Sequence, residues 1–315
     1  MLPILQRHWF LLALACILLV GMSFPAQSAD AAQAIPKNWV IACVLFLMAL
    51  PMSFDTIWDT LRGPGAAMLV IFINSIAVPL IAWPASHLLP GDLATGLVIV
   101  AAVPCTIASA TVWTRLAGGN EAISMLVSVV TNMACFVVTP AWIWLILGKE
   151  SSTQPFGEMA RELFLLVVLP ILAAQLLRRI PSIAEMTTVR KPAMSIVAQI
   201  GLLSIVFIGA VASGQKLQQL DGHLGTLSGQ LGWMLLVVAG VHLLAFYLGL
   251  WLARQLGYRH SDSLAVGFAG SQKTLMVGLA IALNFGGLAI LPMVAYHVEQ
   301  LVIDTLLAQR YRKKS

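Results

Sequence analysis

Pro104-Cys105-Thr106-Ile107-Ala108-Ser109-Ala110-Thr111 interrupts one apolar segment near its middle, and Gly267-Phe268-Ala269-Gly270-Ser271-Gln272-Lys273-Thr274 interrupts another. Both runs are polar and poor in helix-forming residues, and they fall at matching places in the two halves of the 315-residue chain. Backbone amides and carbonyls released at membrane depth need partners from protein, water or a ligand, so irregular backbone there lines a cavity or is buried in protein. Paired interruptions in two halves are the sequence pattern of a secondary transporter's binding region.

Composition supplies the membrane. The chain is 59% hydrophobic and 10% charged with mean hydropathy +0.91, more apolar surface than one soluble core of this length hides. At roughly 20 apolar residues per crossing, ten spans are expected: 8–25, 36–54, 66–88, 92–113, 119–147, 157–178, 192–213, 228–254, 262–284 and 287–308. Lys and Arg collect on the cytoplasmic side. With both termini inside, thirteen of the 18 Lys and Arg lie inside, four (Lys37, Lys149, Arg161, Lys216) lie outside, and Lys273 lies within a span. The net charge of +5 therefore reads as topology, and a nucleic-acid partner is not expected.

Phe24-Pro25-Ala26-Gln27-Ser28-Ala29 resembles a signal-peptidase site behind Arg7 and an apolar run. Retention of the segment is expected instead, because the run is long enough to span and gives five helices on each side of the 149–156 connection. Cys16, Cys43, Cys105 and Cys135 all lie within expected spans, with no disulfide framework or metal-ligand spacing. Phosphate-cradling loops and nucleophile elbows are missing too, so neither an ATPase nor an enzyme is expected.

Polar side chains inside the spans are few. Asn74 and Ser75 precede Pro79; Ser109, Thr111 and Thr114 line the first interruption; Ser124, Ser128 and Thr131 share one helical face, with Asn132 beside them. Their oxygens are hard, neutral donors suited to Na⁺, although any single hydroxyl on a membrane helix ordinarily bonds the preceding turn or a neighbouring helix. Lys273 is costlier, on the order of 2.5–3.5 kcal/mol at a span centre. It lies roughly 16 Å from either end of its helix, so a polar cavity is expected around it. Three roles are open: a fixed charge replacing a bound cation, a titrating proton carrier, or an anchor for an anion. In the last span His297 and Gln300 share a face with Asp304, a face that can turn inward toward the cavity, and Glu299 lies on another; Asp304 is nevertheless expected where the helix emerges into the cytoplasm.

Taken together, Pro104 to Ala110, Arg115-Leu116-Ala117-Gly118-Gly119-Asn120-Glu121-Ala122, Thr139-Pro140 and Gly270-Ser271-Gln272-Lys273-Thr274 resemble the bile acid:sodium symporter superfamily. The branch is that typified by the seventh member of human solute carrier family 10. The resemblance implies an all-α polytopic membrane protein of ten helices in two inverted five-helix repeats, 1–148 and 157–315, with the fourth and ninth helices broken and crossing. It further implies a panel domain of helices 1, 2, 6 and 7 rocking against a core domain of helices 3–5 and 8–10. Cation-binding positions of that family fall on Asn74, Ser124, Ser128 and Gln272. Two departures stand out: Phe268 replaces a Glu that bridges two sodium ions, and Lys273 replaces an Asn. That change of about two charge units disfavours two bound sodium ions.

The sequence thus predicts an inner-membrane secondary transporter of small organic anions with both termini cytoplasmic. Sodium or protons are the expected coupling ion, and no cofactor other than sodium is expected. Substrate contacts are expected from Ser109, Thr111, Lys273, Thr274 and His297. A non-transporting membrane regulator or scaffold is the alternative.

Overall fold

A computed structural model describes residues 2–52, 64–148, 154–219 and 224–312. Most of the 149–156 connection lies outside the described residues, as do Arg62, Lys149, Lys313 and Lys314. The described chain is helical with no strand: α1 Leu2–Ser23, α2 Pro25–Gln33, α3 Lys37–Ala49, α4 Gly65–Ser86, α5 Gly91–Ala102, α6 Ser109–Leu116, α7 Glu121–Leu147, α8 Phe156–Arg178, α9 Pro181–Gln219, α10 Leu224–Gln255, α11 His260–Ser271, α12 Leu275–Ala282 and α13 Ile290–Arg312. Among the described residues seven segments are long and apolar enough to cross a membrane, or eight if α1 and α2, bent by 113°, form one span. Large apolar side chains such as Leu19, Trp39, Leu145, Leu236 and Leu306 point outward, as they do when lipid is the solvent.

Helices α1, α3 and α8 pack against α9, and α4, α5, α7, α10 and α13 gather around α11 and α12. Small residues let α1 approach α9 closely: a Cβ on Gly21 would come within 2.6 Å of Ala210 Cβ, and one on Gly214 within 2.7 Å of Met22 O. The 39 residues of α9 extend about 58 Å, well beyond a hydrocarbon core of about 30 Å. Its first turns, carrying exposed Glu185, Arg190 and Lys191, run outside the apolar zone. The segment His260–Ala282 is different from every other span, because its apolar stretch is buried along its whole length.

Two prolines reshape their helices. Pro79 lacks an N–H for the carbonyl four residues earlier and crowds it, and α4 widens into a π turn over Ile73–Ala77. A second π turn, Phe164–Val168, precedes Pro170 in α8. In α4 the register change sends Val78 N–H to Ile73 O. The carbonyl of Asn74 then has no helical donor, since the next amide along is Pro79. Ser75 O, likewise denied a proline donor, accepts from Trp142 Nε1 at 2.7 Å.

Both interruptions are shorter than their polar runs. The first is the non-helical stretch 103–108, and Ser109 and Thr111 already belong to α6. The second is only Gln272-Lys273-Thr274. Gly267 and Gly270 lie inside α11, where they make room: Cβ atoms there would come within 3.0 Å of the Phe246 ring and 2.8 Å of Ile73 Cγ2. Glycines that read as helix breakers are packing glycines.

Candidate functional site

The two breaks meet and share donors. Helix α5 ends at Ala102, and the backbone of Val103 after it turns extended at φ −75°, ψ 158°, so the last carbonyls of α5 and those of the break need partners from elsewhere. Each of six consecutive carbonyls has one. Ala101 O and Val103 O accept from Lys273 Nζ at 2.7 and 3.0 Å. Ala102 O accepts from Thr139 Oγ1, Pro104 O from Thr274 N, Cys105 O from Asn132 Nδ2 and Thr106 O from Ser128 Oγ, at 2.9, 3.0, 2.8 and 2.7 Å.

The second break is satisfied in the same way. Asn74 Nδ2 donates toward Ala269 O, Gly270 O and Gln272 O at 3.3, 3.2 and 2.9 Å, closing the end of α11. Tyr296 Oη donates to Ser271 O at 2.7 Å. The Gln300 amide holds the Lys273 backbone at both ends, accepting from its N–H at 3.0 Å and donating to its carbonyl at 3.1 Å. Non-helical backbone at this depth is stable because protein donors and acceptors replace the helical ones.

Lys273 is fully buried, with 0% of its surface exposed. The expected polar cavity around it is instead a shell of backbone oxygens. Besides Ala101 O and Val103 O, Nζ donates to Asn74 O at 2.5 Å, with Asn74 Oδ1 at 3.5 Å. Among the described residues no carboxylate lies within ion-pair distance of it.

A second polar chain runs through the crossing. Thr106 Oγ1 and Ser109 Oγ donate to Gln272 Oε1 at 2.7 and 2.8 Å, and Thr106 Oγ1 accepts from Ala110 N at the start of α6. On its other side Gln272 Nε2 donates to Asp304 Oδ2 at 2.5 Å, while Asp304 Oδ1 pairs with His242 Nε2 at 3.0 Å. Asp304 and His242 are both 0% exposed. The expectation that Asp304 emerges with the end of its helix is therefore wrong: α13 continues past it to Arg312, and Gln272 and His242 supply the donors that let a carboxylate stay inside. Ser109 and neighbouring Ala108 are partly and well exposed, so this chain ends at an accessible face.

The other expected positions scatter around this crossing. Ser124 Oγ bonds Thr114 Oγ1 at 2.7 Å, and Ser128 Oγ also returns to Ser124 O at 2.8 Å. Thr131 Oγ1 bonds back to Val127 O and accepts from Cys105 N. The hydroxyl of Thr111 is buried with no partner. His297 contacts Gln300 through Nδ1 at 3.1 Å and stacks edge-on with Phe10. Of the four positions expected to bind a cation, Asn74 and Gln272 meet at the second break, while Ser124 and Ser128 lie one turn apart on α7. Sequence reading assigned no role to Thr106 and passed over His242. A buried histidine on an otherwise apolar helix was the one available signal for His242.

Apolar helices broken at two places that meet deep inside, with the freed backbone held by polar side chains, define a membrane transporter. The chain belongs to the SBF-like CPA transporter family, whose model matches residues 8–313. It is similar to the sodium/bile acid cotransporter 7 of Danio rerio, 23% identical over 96% of this chain and 93% of the relative. The protein of that name in Rattus norvegicus is 24% identical over 96% and 92%. An uncharacterized protein of Pseudomonas aeruginosa is 28% identical over 97% and 93%.

Proposed function

We propose that the protein is a secondary active transporter of small organic anions that works by alternating access, driven by sodium or by protons, in a bacterial-type inner membrane. The observation that carries this reading is the crossing of the two breaks, where Thr274 N reaches Pro104 O and Gln272 reaches Thr106 and Ser109. In this reading ten segments span the membrane in two inverted repeats, 1–148 and 157–315, with 91–116 and 260–282 as the broken pair. Helices α1, α3, α8 and α9 form the panel, the remaining spans form the core, and both termini face the side rich in Lys and Arg.

Substrate meets the crossing where it is accessible, at Ser109 and the start of α6; Thr111, Thr274 and His297 are the other contacts in this reading. The preference for anions rests on Lys273: its charge is surrounded by dipoles and paired with no carboxylate among the described residues, which leaves a positive potential at low dielectric. A coupling sodium would take its oxygens from Ser124, Ser128 and the Thr106 carbonyl beside them. Asn74 and Gln272 are committed to the lysine and to Asp304, so two sodium ions are not proposed.

The test uses the full chain in proteoliposomes, with imposed sodium or proton gradients and a panel of radiolabelled carboxylates and sulfonates beside neutral analogues. Gradient-dependent accumulation of an anion, reduced at least tenfold in Ser109→Leu, supports the proposal. Folded protein that accumulates none of the anions under either gradient refutes it.

A further inference from the structure

We propose that the oxygens around Lys273 Nζ form a monovalent-cation site that the chain fills with its own tethered ammonium. The donors are of the kind that hold an ion. Three are backbone carbonyls, Asn74 O, Ala101 O and Val103 O at 2.5, 2.7 and 3.0 Å, and the fourth is the amide oxygen of Asn74 at 3.5 Å. An ammonium has three N–H donors, and here three carbonyls are within close reach of them. A neutral amine, with two, would leave one carbonyl unmet.

These oxygens are not bystanders recruited from intact helices. Asn74 O is released by the π turn and by the missing N–H of Pro79. Ala101 O belongs to the last turn of α5, whose dipole places negative charge there, and Val103 O belongs to the break. Two consecutive helices, each interrupted, thus direct unpaired carbonyls at one buried point, which without a cation would be a cluster of desolvated acceptors costing about 1–3 kcal/mol each. The three close acceptors come from backbone that no side-chain substitution removes, and the cation comes from one side chain that a substitution does. The lysine therefore does the work of a bound ion without needing one from solution, and at this point the protein is indifferent to the ions around it.

The inference does not depend on the transport reading, and its test reads stability alone. Lys273→Ala removes three carbons and the nitrogen, the atoms of n-propylammonium, so that cation is the probe. The purified full-chain variant is melted in detergent against n-propylammonium, sodium and potassium chlorides, with n-propanol and choline chloride as controls. Lys273→Met, which keeps the bulk and drops the charge, is the companion variant.

The expected result is a lowered Tm for Lys273→Ala that n-propylammonium raises by about 5 °C at a hundredfold excess over its dissociation constant, with n-propanol and choline inactive. Wild type and Lys273→Met do not respond. Equal recovery with n-propanol overturns the proposal, because filling a hole would then suffice. So does a Lys273→Ala protein that none of the three cations stabilises, or that fails to fold even when expressed and purified in n-propylammonium.

Discussion

Asp304→Leu removes the one carboxylate that joins α10, α13 and the second break. In the native protein each of its two oxygens has its own partner, His242 Nε2 at 3.0 Å and Gln272 Nε2 at 2.5 Å, with no exposed surface. Leucine is of similar size but leaves both donors buried and unmet. Two buried donors left unmet cost about 1–3 kcal/mol each, about 2–6 kcal/mol together, which at about 2 °C per kcal/mol for a chain of this size lowers Tm by about 4–12 °C. Asp304→Asn is gentler for a specific reason. Its amide accepts from His242, and Gln272 can then turn its own amide over to present Oε1 to the new N–H₂ group. The reversed Gln272 would donate toward Thr106 and Ser109, whose hydroxyls rotate to accept. The expected loss for Asn is about half that for Leu. A double-mutant cycle with His242→Ala in thermal melts of the purified protein measures the pair directly, and a coupling energy of about 1 kcal/mol or more is expected. Equal Tm values for wild type, Asp304→Leu and Asp304→Asn, or a cycle that closes within experimental error, would refute the reasoning.

Two further substitutions examine the scaffold. Gly96→Ala places a Cβ 2.3 Å from Ala289 O and 2.8 Å from the Pro292 ring, neither of which yields easily, so it separates α5 from α13 and costs about 1–3 kcal/mol, read as a fall in Tm; an unchanged melt would contradict the packing. Asn120→Ala removes both the cap on Ala122 N–H and the 2.8 Å bond to Asp262, at an expected cost of about 1 kcal/mol with faster hydrogen exchange at the starts of α7 and α11. Unaltered exchange at α11 would mean that the two loops are held by other contacts.

The positions of the two breaks were legible because a polar, glycine- and proline-containing run inside apolar helix has few other meanings. Their extents were not. Gly267 and Gly270 either interrupt a helix or let a neighbour come close, and only the presence of Phe246 and Ile73 decides between them. Lys273 was conspicuous as a charge at mid-span, yet its partners are backbone oxygens, which have no signature in a sequence. The release of Asn74 O traces back to Pro79, so the cause was visible and the recipient was not. Asp304 was misjudged because a carboxylate near the end of a span ordinarily meets water, and the two residues that keep it inside are 32 and 62 positions away. The apolar layers were readable from composition, whereas the pairing of polar groups across them depends on tertiary proximity.

The exchange of donors across the crossing also sets an order of assembly. Ala101 O waits for a lysine 172 residues later in the chain, which at ribosomal speeds of about 5–20 residues per second arrives roughly 10–35 s afterwards. In that interval Thr139, Asn132 and Ser128 can already serve Ala102, Cys105 and Thr106, but the carbonyls of Asn74, Ala101, Val103 and Pro104 lack their final donors. The first half of the nascent protein must therefore keep that region wet, or shielded by the insertion machinery, until residues 273 and 274 arrive to close it.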